Sequence, residues 1–192
     1  MSIFKSAASQ LLDFLETIAL AFIIFILIDT FVMQPHVVKG NSMLPNFHTG
    51  ERIFTESVGY RFGTPKRGDV IVFRYPYAPD NEYIKRVIGL PGDEIKLSSG
   101  GVIIFDALHP QGFALKELYL GKDVMTVGKK FLTDNTTYKV PDNTYFVLGD
   151  NRQESSDSRE WGTVPKNNVI GRVFLRYWPP SALSLIKGFN YQ

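Results

Sequence analysis

Three groups of residues in this chain carry the types needed for bond-breaking chemistry. The first is Ser42, set in Gly40-Asn41-Ser42-Met43-Leu44-Pro45, a loop punctuated by glycine and proline. The second is Lys85 in Tyr83-Ile84-Lys85-Arg86-Val87. Strand alternation puts Lys85 on one face with Tyr83 and Val87, and turns Ile84, Arg86 and Ile88 to the other. A lysine on an apolar, aromatic face gives up its proton more readily than one in water, because desolvation disfavours the ammonium form. Such an amine can take the proton of a serine hydroxyl and return it to a leaving amine. The third group is the polar stretch 149–162 (GDNRQESSDSREWG). Ser155, Ser156 and Ser158 offer hydroxyls to orient a neutral amine. Asp150, Arg152, Asp157 and Arg159 offer opposite-charge pairs within the loop that would hold its shape. Each group also has a plainer reading, as a loop serine, a lysine reaching solvent along its stem and a solvated turn. What separates the two readings is whether the fold brings Ser42 to Lys85.

Other chemistries find less support. The chain has no cysteine, which excludes disulfides, thiolate metal sites and thiol nucleophiles. His36, His48 and His109 show no metal-ligand spacing, so neither metal nor cofactor is expected. Ser42 lacks the second glycine of G-x-S-x-G and is not a nucleophile elbow. The net charge of +2 is spread along the sequence, which gives no footprint for nucleic acid.

The elements that must position these residues read as mainly β. The chain has 192 residues, enough for one domain with a proper core, and its 15 Phe and 9 Tyr suit half-buried pleated surfaces. Short strands are predicted at 37–39, 52–57, 69–75, 83–90, 144–148 and 169–177, with a hairpin about residues 98–101. Loops are predicted at 59–68 and 76–81, and the tail after Pro180 is expected to add a short helix. Many short strands separated by turn signals imply an open, barrel-like set of antiparallel sheets. Residues 106–139 are more polar and less periodic, and read as a small subdomain inserted between core segments 34–105 and 140–192.

Ahead of this β body lies the only strongly apolar stretch. Residues 17–28 (TIALAFIIFILI) carry no charge, and a window of about 20 residues tolerates Glu16 and Asp29 near its ends. No small-x-small site follows, so an uncleaved membrane anchor over 14–33 is expected, with residues 1–13 inside and the remainder outside.

Taken in order, the anchor, GNSMLP, RGDVIVFRYP (67–76), YIKRVIGLPGDEI (83–95) and GDNRQESSDSREWG resemble the bacterial type I signal peptidases of peptidase family S26. The resemblance runs through nearly the whole chain and implies a membrane-anchored serine endopeptidase that removes signal peptides from exported preproteins. It implies a location in the cytoplasmic membrane, with the catalytic domain on its outer side. Residue by residue, it implies Ser42 as nucleophile, Lys85 as general base and Ser155 as the hydroxyl orienting the lysine. Asp157 and Arg159 match a supporting salt bridge, Arg86 and Asp150 further motif positions. Met43, Tyr83 and Ile84 match a shallow pocket for small substrate residues one and three before the cut. The implied partners are those preproteins and the lipid bilayer. Two departures stand out. Gly40 occupies a position where many members carry a serine that completes the oxyanion hole, and losing one such donor can cost ~10²–10³ in rate. Asn46-Phe47 replaces the usual Thr-Leu after Pro45, a change expected at the pocket wall. Two alternatives remain at this point: a specialised paralogue maturing pilin or conjugation components, and a non-catalytic anchored binding domain.

Overall fold

The computed structural model describes residues 7–31, 33–57, 60, 63–189 and 191. A helix, α1 (Ala7–Phe31), leads into twelve strands: β1 (Met33–Val37), β2 (Arg52–Glu56), β3 (Val70–Tyr75), β4 (Ala78–Gly89), β5 (Glu94–Ser98), β6 (Gly101–Phe105), β7 (Phe113–Ala114), β8 (Thr137–Lys139), β9 (Thr144–Leu148), β10 (Val164–Pro165), β11 (Val169–Trp178) and β12 (Ser184–Leu185). A one-turn helix, α2 (Ser158–Trp161), sits between β9 and β10.

Two antiparallel sheets result. The larger has the order β1-β2-β11-β3-β4-β9-β10, with β12 added against β11. The smaller has the order β7-β6-β5-β8. The expected mainly β, antiparallel architecture is present, and neither sheet closes into a barrel. The smaller sheet combines the hairpin β5–β6 with two short strands from the 106–139 stretch, so that stretch extends an existing hairpin.

β3 (VIVFRY) occupies a central place because its β-branched and aromatic side chains suit burial on both faces, and its first four residues are buried. β4 is the strand that matters most to the site. It runs beside β3 from Ala78 to Arg86, with Ile71 opposite Lys85, but β9 joins its other edge only from Arg86 onward. At Lys85 that edge is therefore open. The loop expected over 76–81 contracts to a tight hairpin, because Tyr75 pairs with Ala78 across the turn and stacks on Tyr83, with ring centroids 4.8 Å apart. The first strand lies upstream of its expected place at 37–39, drawn there by pairing along β2 from Met33↔Glu56 to Val37↔Arg52. The tail forms a 3₁₀ turn at Pro180–Ala182 and the short β12 in place of a helix.

Alternation along β4 distributes its side chains among three cores. Tyr83 and Val87 pack with Phe73, Tyr145, Val147 and Trp161. Ile84 packs with Val38, Met43, Phe47, Val72 and Val173, and Ile88 with the apolar face of the smaller sheet.

Among the described residues, no helix is long and apolar enough to cross a membrane. Val32, and the side chains of residues 26–31, belong to the anchor expected over 14–33 and lie outside the described residues. The described side chains of α1 leave their large apolar groups, from Leu11 to Phe25, 48% to 66% exposed around the helix.

Candidate active site

The loop that carries Ser42 is drawn inward by two apolar side chains. Met43 and Phe47 are buried in the core beneath it, and Phe47 N–H donates to Met43 C=O at 2.9 Å to form a single turn. From the other side Asn151 grips the same loop. Its backbone N–H donates to Ser42 C=O at 3.0 Å and its Nδ2 donates to Asn41 C=O at 3.1 Å. Gly40 has φ +84°, a conformation open to glycine at little cost, and its carbonyl accepts from Thr49 Oγ1 at 2.8 Å.

Held this way, Ser42 meets the open edge of β4. Lys85 Nζ lies 2.7 Å from Ser42 Oγ and donates to Ile84 C=O at 3.0 Å. It also stands 5.4 Å from the centroid of the Tyr83 ring. The lysine side chain is buried, at 4% exposure. Burial pushes its pKa down from 10.5 to about 8, against a smaller upward pull from Asp157 and Asp150. A serine hydroxyl in hydrogen-bond contact with an amine whose pKa is about 8, and which is therefore partly neutral near physiological pH, can be deprotonated as it attacks an acyl carbon.

The loop 149–162 is fixed by ion pairs, of which one lies within it as expected and two reach outside it. Asp157 and Arg159 do pair, fully buried, through two contacts of 2.8 Å. Asp157 also accepts from Gly149 N–H at 3.1 Å and caps α2. Asp150 and Arg152 do not pair with each other. Asp150 takes a two-pronged bond from Arg86, at 2.9 and 2.7 Å, because alternation points Arg86 away from Lys85 and toward the loop. Arg152 turns outward to Glu117, whose carboxylate it meets at 2.8 and 2.5 Å, and its Nε donates to Gly149 C=O. Glu117, with Tyr119, Asn46 and Asn151, was missed in the sequence. A signal existed: Arg86, Arg152 and Arg159 are three cations against two aspartates, and a third buried acid has to come from elsewhere.

Ser155 is fully buried, and its Oγ has no hydrogen-bond partner among the described residues. It rests against Gly149, where a Cβ would stand 2.1 Å from Ser155 Oγ and 2.4 Å from Ser42 C=O. Its carbonyl accepts from Lys129 Nζ at 2.6 Å. The bonds from Lys85 go to Ser42 and Ile84, not to Ser155.

A cleft of about 940 Å³ opens beside the pair, walled by residues 35–42 and 80–85 with Glu154 and Ser156 at its rim. Tyr83 and Ile84 line it, and Ile53 and Val72 add to its apolar floor. Met43 is not among the lining residues; at 1% exposure it belongs to the core. Asn46 and Phe47 do not form the wall either. Asn46 Nδ2 donates to Asp150 at 2.9 Å and to Tyr119 C=O at 3.0 Å, while Phe47 is buried.

A serine hydroxyl in contact with a buried amine beside an open cleft makes this a candidate hydrolase site. Comparison with known proteins agrees with that class. The family model described as signal peptidase, peptidase S26, matches residues 11–178. A signal peptidase I of Leptolyngbya laminosa is 36% identical over 185 residues, covering 92% of this chain and 84% of its own length. A signal peptidase IB of Staphylococcus aureus (strain Mu50 / ATCC 700699) is 33% identical over 181 residues, covering 88% and 91%. A crystal structure of a signal peptidase I from Enterococcus faecalis V583 aligns with a TM-score of 0.43 at 29% identity, covering 56% of this chain and 95% of that one. The chain belongs to the signal peptidase family, peptidase S26, and is a serine endopeptidase.

Proposed function

We propose that this chain cleaves signal peptides from exported preproteins, with Ser42 as nucleophile and Lys85 as general base. The observation that carries the reading is the 2.7 Å contact between Ser42 Oγ and a lysine amine buried enough to be partly neutral near pH 7. Lys85 takes the hydroxyl proton as Ser42 Oγ attacks the scissile carbonyl. The Ser42 backbone N–H faces the developing oxyanion. The protonated Lys85 then delivers its proton to the departing amine, and the same base activates the water that releases the acyl group.

The free edges of β1 and β4 along the cleft suit an extended substrate that adds as a strand. The floor of Ile53, Val72 and Ile84 is apolar, in keeping with small apolar side chains at one and three residues before the cut. The apolar girdle of α1 favours insertion into the lipid bilayer over exposure to water. With Trp178, Leu183 and Leu185 also exposed, the body would rest at the outer surface of the cytoplasmic membrane, where such a substrate arrives. In this reading Asp157, Arg159, Arg86 and Asp150 support the site, and Ser155 fills the space under Gly149.

Purified protein should process a preprotein into mature product, and Ser42→Ala and Lys85→Ala should each stop it. Product formation by either variant at a rate within ten-fold of the parent rules the assignment out.

A further inference from the structure

Past the family-matched residues 11–178 the chain returns to the back of the site. Phe189 N–H donates to Gly68 C=O at 3.2 Å, and the same carbonyl accepts from Arg86 Nη1 at 3.0 Å. The Tyr191 hydroxyl lies 2.7 Å from that of Tyr119, which donates to Glu117 at 2.5 Å and accepts from Arg152 Nη2 at 3.3 Å. Phe189, Tyr191 and Tyr119 form a cluster with ring centroids 5.0 to 6.3 Å apart. The Tyr119 ring lies under the Arg86 guanidinium at 4.0 Å, and its carbonyl holds Asn46 of the nucleophile loop at 3.0 Å.

Tyr119 therefore touches the supports of both reacting residues: Arg86, the neighbour of Lys85, and Asn46, four residues beyond Ser42. We propose that Phe189 and Tyr191 are positioning residues, forming a strap that pins Tyr119 across the Arg86–Asp150 pair and so sets Ser42 and Lys85 in register. The proposal rests on the Ser42/Lys85 reading above. With the strap in place the pair is closed off, and Arg86 and Asp150 neutralise each other beside Lys85. With the strap gone, water reaches the pair, Asp150 is less completely neutralised, and Lys85 is less desolvated. Both changes favour the ammonium form. The other charged groups facing this cluster are Glu117 and Arg152, which pair with each other, and Asp157, which pairs with Arg159.

The test uses the full chain with Phe189→Ala, Tyr191→Ala and Tyr191→Phe, and a form lacking residues 188–192. Cleavage of a preprotein gives kcat, KM and the pH midpoint of kcat. A ¹⁵N-lysine NMR titration reports the Lys85 ionisation without turnover. Both alanine variants should lower kcat by about ten-fold or more, as small misplacements of reacting groups do, with KM changing less and both midpoints moving upward. Tyr191→Phe keeps the ring packing and should recover most of the kcat. Unchanged kcat and midpoints in both alanine variants overturn the strap, whatever the shortened form does. Loss of activity that merely parallels a fall in Tm, with the lysine titration unmoved, overturns it too. A parent protein that cleaves no preprotein defeats the functional reading instead, and the lysine titration still decides whether the strap acts on Lys85.

Discussion

Replacing Lys85 by Met should inactivate the protein and stabilise it, and the stabilisation should depend on pH. Methionine nearly matches the lysine stem in length and volume, so the apolar surroundings close over it with little strain. Folding lowers the Lys85 pKa from 10.5 to about 8, which means the unfolded chain holds that proton more tightly. The cost of burying the ammonium is then fully present below about pH 8, declines between there and 10.5, and is gone above. A shift of that size corresponds to about 3 kcal/mol. Against it stand the bonds to Ser42 Oγ and Ile84 C=O, whose loss costs about 1 kcal/mol each.

The net gain for Lys85→Met near pH 6 is therefore about 1–2 kcal/mol, or roughly 2–8 °C in Tm for a chain of this size. Above pH 10.5 only the lost hydrogen bonds remain, and the parent should be the more stable of the two. Thermal unfolding of parent and variant in detergent, scanned from acid to alkaline pH, measures the difference directly. Cleavage of a preprotein measured alongside should fall by ~10²–10⁴, the worth of a positioned base. For the parent, kcat/KM should rise with pH and level off above about 8. A variant that is less stable near pH 6, or a Tm difference that does not vary with pH, refutes desolvation as what makes Lys85 a base. A parent midpoint near that of a histidine refutes the lysine outright.

Further substitutions probe the scaffold. Gly149→Ala places a methyl 2.1 Å from Ser155 Oγ and 2.4 Å from Ser42 C=O, so the nucleophile loop must move; a fall of kcat by ~10² from such a misplacement is expected, with little change in KM. Asp157→Asn leaves the Arg159 guanidinium buried without its counter-charge and should cost about 3–5 kcal/mol in denaturant unfolding. It also removes a charge that raises the Lys85 pKa, so any folded fraction should show a lower pH midpoint. Gly40→Ser meets no atom within 4 Å, but φ at +84° makes it cost about 1 kcal/mol in stability. Its kcat should not rise; a gain near ten-fold would show that the oxyanion hole was one donor short.

Much of this was legible because it depends on period and residue type. Two-residue alternation along β4 separated Tyr83 and Val87 from Ile84 and Ile88, which pack in different cores, and the β-branched, aromatic run at 69–75 identified the strand β3. Contacts between distant segments were harder to read. Arg152 and Asp150 are close in sequence and of opposite charge, so a local pair was the natural expectation. The fold instead sends one to Glu117 and the other to Arg86. Met43 was placed by the pocket because it matches a family position there, yet the turn closed by Phe47 points its side chain into the core. Asn46 reads as a turn residue, and only the folded chain shows it joining Asp150 to Tyr119.

The same pairings explain why desolvation, and not charge, sets the character of Lys85. Two buried carboxylates, Asp157 and Asp150, act on Lys85, and a third, Glu117, lies behind them against Arg152. Each is already engaged by an arginine, at 2.8, 2.7 and 2.5 Å respectively. A guanidinium is the better partner for a buried carboxylate, since it is weakly hydrated and bonds through two prongs. Among the described residues, Lys85 is left with a hydroxyl and a carbonyl as its hydrogen-bond acceptors and an aromatic ring alongside. Neither acceptor carries a charge that would offset burial, so the neutral amine is favoured over what an exposed lysine would show. Were Arg86 or Arg159 removed, a freed carboxylate would compete for the ammonium and hold its proton. Arg86 and Arg159, neither of which touches Ser42 Oγ, thus keep Lys85 usable as a base by occupying the two buried carboxylates that act on it.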